Sequence, residues 1–444
     1  MPLTAPDIAT DLPVCLAPVD QRRLYVHDSS VMNDPGYEEL YLSTQHFLPE
    51  RALWLAEPGD MVALARPLEE AYLEYLRALG AGPTEILTVP ILEDSGLVQT
   101  LLARHQWTAQ LMDWAQRAPT PITADTFCTT EQTRTLTSLV NRVVPGALSG
   151  NGDENATFQA NHKSYVRSAL DDLGIPKIPG CTASTAGLDL NTAVERIRQA
   201  IATVGKAHRQ IIVRADYSSG GTGNLLIGRG DCASLENWLA QHRSTGKFLV
   251  DAYLPWRSSP NVQFWLSPEG RAQPFQITDQ VTNGSISHIG NVFPSTIQTD
   301  PELRRQSGLI ADWLARIGVR GFIGIDFIDT YTDGVRFVEV NARVNGSTYA
   351  AAIALRINHL RALRGRGPLP VWRMNREVLT GLPNFAGILE IAGDLIYDHG
   401  KNAGVVPYWT GAMGHGVFSC VTLAQDAAQR EQLHGEFLNR VKAG

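Results

Sequence analysis

Apolar and polar positions recur with two different periods along this chain. LYVH (24–27), ALWLA (52–56) and MVALA (61–65) are apolar runs of strand length, and EPGD (57–60) between the last two is a turn signal. LEEAYLEYLRALG (68–80) repeats its apolar residues at helical spacing and closes on glycine, which predicts a helix. EILTVPIL (85–92) reads as a further strand and LVQTLLARHQWTAQLMDWAQRA (97–118) as one longer helix. Strands and helices alternating in this way predict a mostly parallel sheet. No glycine-rich phosphate loop follows any of these strands, so this region carries no evident chemistry.

VPGALSGNGDENAT (144–157) is rich in Gly, Asn and acidic residues and reads as a loop or domain boundary. NHKSYVRSALDDLGIPKIPG (161–180) predicts a helix of about a dozen residues, a glycine stop and an extended Ile-Pro segment. IIVRADYSSGGTGNLLIG (211–228) is strand, Gly/Ser loop, strand; LENWLAQH (235–242) is a helix. KFLVDAYLPW (247–256) is a strand entering a loop, and NVQFWLSPEGRAQPFQI (261–277) is a hairpin. ELRRQSGLIADWLARIG (302–318) is an amphipathic helix, and STYAAAIALRINHL (347–360) is another helix. Between them FIGIDFID (322–329) and VRFVEVNARV (335–344) are strands joined through TYTDG. The tail carries strands in GAMGHGVFSCVTL (411–423) and a last helix.

One strand breaks its own apolar pattern. In RFVEVNARVNG the odd positions Glu339, Asn341 and Arg343 are polar, and strand alternation puts them on one face with Val338, Val340 and Ala342 on the other. Asp326 lies on the neighbouring strand, so two carboxylates and an amide oxygen are expected together, a donor set suited to a hard cation. Three further features precede it in order: Lys163 at a helix start, Arg214 ending an apolar strand before SSGGTG (218–223), and the strand LVDAY (249–253). Each alone is ordinary. SSGGTG is not a P-loop, since no GK[ST] follows it, but its small residues let backbone N–H groups approach phosphate oxygens. The order and spacing of the set point to a nucleotide phosphate site.

Bulk properties narrow the reading. The chain has 444 residues and suggests roughly two to four domains. The net charge is −7 with no long basic run, which argues against a nucleic-acid partner. No apolar stretch approaches the length of a membrane span, and the N-terminus has no signal-peptide pattern. The five cysteines are scattered, without metal spacing or a disulfide framework, as expected of a cytoplasmic protein with reduced thiols.

The series Lys163, Arg214, the glycine loop, LVDAY and GFIGIDF…VRFVEVNARVNGS resembles the ATP-grasp superfamily of carboxylate–amine ligases, over about residues 155–360. The resemblance implies an α/β (α+β) multidomain fold. Residues 1–150 would form a pre-ATP-grasp α/β domain, and 151–365 an ATP-grasp domain of two α+β subdomains sandwiching ATP, with the lid at about 180–255. Residues 366–444 would form a small C-terminal domain. It also implies ATP and Mg2+ as cofactors. Asp326, Glu339 and Asn341 match the magnesium ligands, and Lys163 and Arg214 match the cations that clamp the phosphates. Ser218, Ser219, Gly220, Gly221, Thr222 and Gly223 match the lid, and Val250, Asp251 and Tyr253 the adenine and ribose hinge. Arg343 matches an arginine beside the γ-phosphate and acyl group. Ser347 and His288 are expected near substrate. Two departures stand out: Arg214 replaces the usual lysine, and Asn261 replaces a common glutamate and is given no role. ALWLAEPGD, RADYSSGGTG and the C-terminal extension resemble peptide ligases of antibiotic biosynthesis. The expected partners are an amino-acid carboxylate and an amino-acid or peptide amine, with a homodimer common among relatives. A ligase of primary metabolism acting on a small amine, or an inactive ATP-binding scaffold, are the competing readings.

Overall fold

The structure is a computed structural model describing residues 22–443 except 33–43, 84, 92–94, 119–121, 146–147, 150–151, 219–220, 222, 229–233, 243–244, 283–285, 379–381 and 383. Five parallel strands form the first sheet: β1 (Arg22–Val26), β2 (Met61–Leu64), β3 (Glu85–Thr88), β4 (Ile122–Thr126) and β5 (Leu148–Ser149), in the order β3-β2-β1-β4-β5. With them run helices α1 (Glu70–Ala78), α2 (Leu97–Ala103), α3 (His105–Arg117) and α4 (Glu131–Val143). Leu24, Val26, Met61, Ala63, Ile122 and Ala124 face Leu97, Leu111, Trp114 and Leu136. Tyr25, Val62, Leu64 and Phe127 face the rest of the protein. Both faces are covered, which is why the strands read as continuous apolar runs.

Three expectations fail here. ALWLA is not a strand: Gln45–Trp54 is a 3-10 helical run containing Pro49, and Ala52–Ala56 is wholly buried. A short apolar run fits a buried helical turn as well as a strand, and periodicity alone does not separate them. The single helix over 97–118 is two, broken at Arg104, whose backbone is extended. The 144–157 loop holds the start of helix α5 (Glu154–Ala160), because the Asp153 carboxylate accepts the Ala156 N–H at 2.8 Å.

Helix α6 (Lys163–Ala169) follows, shorter than the dozen residues expected. The second sheet is antiparallel: β6 (Gly180–Ser184), β7 (Ile211–Ala215), β8 (Asn224–Ile227) and β9 (Lys247–Ala252), in the order β6-β9-β7-β8. Helices α7 (Leu190–Val204) and α8 (Leu235–His242) pack on it through Val194, Ile197, Leu235 and Leu239.

The third sheet holds β10 (Trp256–Ser258), β11 (Pro260–Leu266), β12 (Ala272–Thr282), β13 (His288–Phe293), β14 (Gly321–Thr330), β15 (Gly334–Asn341), β16 (Val371–Val378), β17 (Gly404–Trp409) and β18 (Val417–Ala424). Its path is β10-β14-β11-β12-β13-β16-β18-β17, with β15 on β14, so the strands of 366–444 continue the same sheet. Helix α9 (Pro301–Arg316) covers one face through Leu303, Ile310 and Leu314. Helix α10 (Gly346–Leu363) is apolar on nearly every side because it is buried between the first and third sheets. Helices α11 (Phe385–Ala392) and α12 (Ala427–Ala443) close the far end. Among the described residues no helix is long and apolar enough to cross a membrane. Cys128, Cys181 and Cys420 are free.

Candidate active site

Strand register assembles the polar row. Asn261 of β11 lies opposite Asp326 of β14, which lies opposite Glu339 of β15. One step along, Gln263, Gly324 and Asn341 form a second row. Glu339 and Asn341 therefore share a face with Asp326, as alternation predicts.

The other half of that prediction is corrected. The β14–β15 register slips after Asp326, so Phe327 pairs with Phe337 and Val338 is an extra, bulged residue. Before the bulge Val335 and Phe337 face the core; after it Val340 and Ala342 do. Val338 points instead to the second sheet, beside Ile328. The bulge also places the Val338 carbonyl where it accepts from Arg214 Nη1 at 3.0 Å. The strand ends at Asn341, so Arg343 lies in the following bend, with Nη1 3.4 Å from Asn345 Oδ1.

The two carboxylates differ in surroundings. Asp326 is buried and accepts the Asn261 amide at 2.6 Å and the Asn341 amide at 2.9 Å. Burial, with the Glu339 charge next to it, pushes Asp326 up to about 7. Burial would also raise Glu339, but Lys163, Arg214 and Arg343 outweigh it and hold it below the usual carboxylate range. Lys163 Nζ is 3.3 Å from Glu339 Oε2 and donates to the Ser218 hydroxyl at 3.0 Å and carbonyl at 3.3 Å.

The strand end leading into the Gly/Ser loop is tied to Lys163 by a residue that spacing did not single out. Asp216 accepts the Ser164 N–H at 2.6 Å and its hydroxyl at 2.8 Å, and its carbonyl accepts the Lys163 N–H. Gly221 has φ +84°, and a Cβ there would lie 2.6 Å from the Ile286 carbonyl, so the loop tip rests on the segment before β13. Ser219, Gly220 and Thr222 lie outside the described residues.

The pattern of the sequence now meets the pattern of known families. Residues 160–347 match the ATP-grasp domain and residues 49–141 the pre-ATP-grasp domain. The chain thus carries a pre-ATP-grasp domain followed by an ATP-grasp domain. Among curated proteins none matches it. Of solved structures, the N5-carboxyaminoimidazole synthetase of Staphylococcus aureus complexed with ADP superposes with a TM-score of 0.56 at 14% identity, covering 94% of this chain and 96% of that one. The carboxyaminoimidazole ribonucleotide synthase of Aspergillus clavatus complexed with ATP gives 0.54 at 13%, over 96% and 99%. A Campylobacter jejuni biotin carboxylase complex with β-γ-ATP gives 0.54 at 12%, over 95% and 91%. Similarity at this identity establishes the fold.

Within the ATP-grasp frame three expectations change. Val250 and Asp251 offer no open edge, because β9 is a central strand paired with β6 and β7 on its two sides. Val250 lies in the apolar core, and the wholly buried Asp251 carboxylate is held by Arg167 at 2.9 Å and Arg214 at 2.6 Å. Tyr253, just past the strand, is half-buried. Ser347 does not offer a free hydroxyl: it donates to Asn261 Oδ1 at 3.1 Å and accepts from Gln263 Nε2 at 2.7 Å. The residue at the helix cap is Asn345, and a side chain at Gly324 would collide with its amide at 2.7 Å. His288 Nε2 is 2.8 Å from Asn291 Oδ1, and burial holds the ring below its ordinary value. Arg304 and Arg305 bond to Gln298 and Glu302 on the surface.

Sequence reasoning gave Asn261 and Gln263 no role, yet they link Asp326 to the start of α10. Their signal was present: polar residues at alternate positions in NVQFW, the same pattern that marked Glu339 and Asn341. Among the described residues no group of three or more His, Cys, Asp or Glu could hold a metal, in the tail or elsewhere. Asp326 and Glu339 are two carboxylates that phosphate oxygens would have to complete.

Proposed function

We propose that this ATP-grasp protein is an ATP-dependent peptide ligase. It activates the carboxylate of an amino-acid-like substrate as an acyl phosphate and joins it to the amine of an amino acid or peptide, releasing ADP and phosphate. One observation carries the reading: Lys163, Arg214 and Arg343 all act on Glu339, which lies beside a second buried carboxylate, Asp326. A carboxylate and a triphosphate repel each other, so bringing them together requires converging cations.

The donor set fits magnesium: hard oxygens of Asp326, Glu339 and Asn341 on adjacent strands, with Asp326 raised by burial and the Glu339 charge. When bound, the metal would supply positive charge for the phosphate oxygens. Lys163 and Arg214 would neutralise the phosphates, and Arg343 the carboxylate as it approaches. Closure of the loop from Ser218 to Gly223 would keep water from the acyl phosphate. The acid's oxygen attacks the γ-phosphorus and ADP leaves; the amine then attacks the acyl carbon and phosphate leaves. The chain's contribution is mainly positioning and charge.

The peptide acceptor rests on ALWLAEPGD, RADYSSGGTG and the C-terminal extension, which resemble the peptide ligase of pheganomycin biosynthesis. A cytoplasmic, antibiotic-forming ligase is the corresponding biological reading. The test is release of ADP and phosphate from ATP and magnesium with amino acids and short peptides, alone and in pairs. Release that needs both an acid and an amine, with a new amide mass, is the expected result. Magnesium-dependent ATP binding without release for any pair would point to an acid outside the panel, and no ATP binding at all would sink the reading.

A further inference from the structure

The first sheet reverses its strand order between β1 and β4: β2 and β3 lie on one side of β1, β4 and β5 on the other. The crevice at the carboxyl ends of such strands is where α/β sheets bind ligands. His27 directly follows β1, and Asp125 lies near the end of β4. The His27 ring is wholly buried, with both nitrogens engaged. Nε2 is 2.9 Å from Asp125 Oδ1, and Nδ1 is 2.7 Å from the Tyr349 hydroxyl on α10. With a neutral imidazole, the partners set the tautomer. A carboxylate only accepts, so Nε2 carries the hydrogen and Nδ1 accepts from Tyr349. Burial raises the tyrosine well above its ordinary value, so it remains the donor. The result is a one-way chain, Tyr349 O–H to His27 to Asp125.

That chain ends on a carboxylate with a side chain 18% exposed. Oδ1 takes the histidine, and Oδ2 has no partner among the described residues. Other carboxylates nearby are engaged. Asp28 accepts from Ser30 and Val98, Glu50 from Thr410 and Gly411, and Glu339 faces Lys163. The site is close. The Val344 N–H donates to the Phe127 carbonyl at 2.9 Å, fastening the bend that carries Arg343 to the residue two beyond Asp125. The Asp125 and Arg343 charges both act on the Tyr349 hydroxyl.

We propose that Asp125 binds the ammonium group of the amine substrate and takes its proton, with His27 and Tyr349 as positioning residues. The proposal rests on the ligase reading above. The amine arrives as R–NH3+ and must lose a proton to be a nucleophile. Asp125 takes that proton. The nitrogen lone pair then forms the C–N bond, and the acyl C–O bond breaks with its electron pair leaving on phosphate. Phosphate takes the second nitrogen proton, and Asp125 returns its own to solvent. Arg343 and Asp125 are thus complementary, one sign for each substrate.

The experiment compares two nucleophiles on the full chain with ATP, magnesium and an acid accepted by the wild type. Hydroxylamine is uncharged at neutral pH and needs no base, so it traps the acyl phosphate as a hydroxamate. An amino-acid amine needs the base. In Asp125→Asn, amide formation should fall roughly a hundredfold or more, while hydroxamate formation from the same acid stays near the wild-type rate. Tyr349→Phe should show the same split more weakly. Equal loss of both products, or loss of neither, would overturn the assignment. A wild type yielding neither product with any acid would instead sink the ligase reading itself.

Discussion

Asp251 in the second sheet, the proposed lid, and Asp326 in the third, the proposed floor, are both buried carboxylates, and their neighbours are opposite in sign. Asp251 lies between two guanidiniums, Arg167 and Arg214. Asp326 hydrogen-bonds the neutral amides of Asn261 and Asn341 and faces Glu339 across the strand pair, and the Arg343 charge offsets this only in part. A buried ion keeps its charge only when the protein supplies compensation. The lid aspartate has its compensation built in and serves to hold Arg214 against Val338. The floor aspartate does not, and its carboxyl is raised to about 7 accordingly. At Asp326, burial and the like charge of Glu339 outweigh what Arg343 and the two amides supply, which makes it a candidate functional acid.

The largest expected effect follows from the floor. Glu339→Ala should lower ligase turnover by about three orders of magnitude, measured by ADP release with an acid–amine pair. Its unfolding free energy should fall by less than that of the lid-side variant, about 1–2 kcal/mol: buried Lys163 loses its anion but keeps the Ser218 hydroxyl and carbonyl, and Asp326 loses a repulsive neighbour. Asp251→Ala should do the reverse to the fold. It strands two guanidiniums and should cost about 3–5 kcal/mol in urea unfolding. If Glu339→Ala unfolded the protein that far, the contrast between the two carboxylates would collapse.

Much of this contrast was legible in the sequence, but on one side only. Alternation in VEVNAR located Glu339 and Asn341, because strand geometry ties position to face. The same rule misassigned Val338, since a bulge is a property of the pairing and leaves no trace in one strand's pattern. Asp251 read as a ligand contact because the resemblance puts LVDAY at the adenine and ribose hinge. Its two arginines come from α6 and β7, remote in sequence, so their convergence is visible only in the fold. The His27–Asp125–Tyr349 chain was unread for the same reason: its members lie 98 and 322 residues apart.

His434 extends the comparison to the opposite sign. Burial, reinforced by Arg373, lowers it to about 4; Lys442 and Arg430 add to this, while Glu431 opposes it. Glu377 Oε1 lies 3.7 Å from Nε2, and Thr422 bonds Nδ1. The folded value lies below that of the unfolded chain, so between pH 6.5 and about 4 the unfolded state binds a proton that the native state refuses. Stability present above that window is lost as the pH falls through it, by about 2–3 kcal/mol. Urea midpoints across the window should slope for the wild type and flatten for His434→Gln. Magnesium and ATP should leave this slope unchanged, since no ligand relieves this site.

Arg214→Lys tests the same comparison at its finest. The guanidinium spans two acceptors, the Val338 carbonyl at 3.0 Å and Asp251 at 2.6 Å, while Nε is buried without a partner. An ammonium keeps the charge but is a compact point that does not bridge both. Charge compensation of Asp251 therefore survives, and the loss should be one hydrogen bond, about 1 kcal/mol in unfolding free energy. The site should respond differently. Lysine is usual here in the superfamily, so the variant should still bind ATP, with a several-fold change in KM for ATP and a smaller change in kcat. Equal loss of stability in Arg214→Lys and Asp251→Ala would mean that the two-pronged geometry, and not the charge, holds the lid sheet to the floor at the bulge.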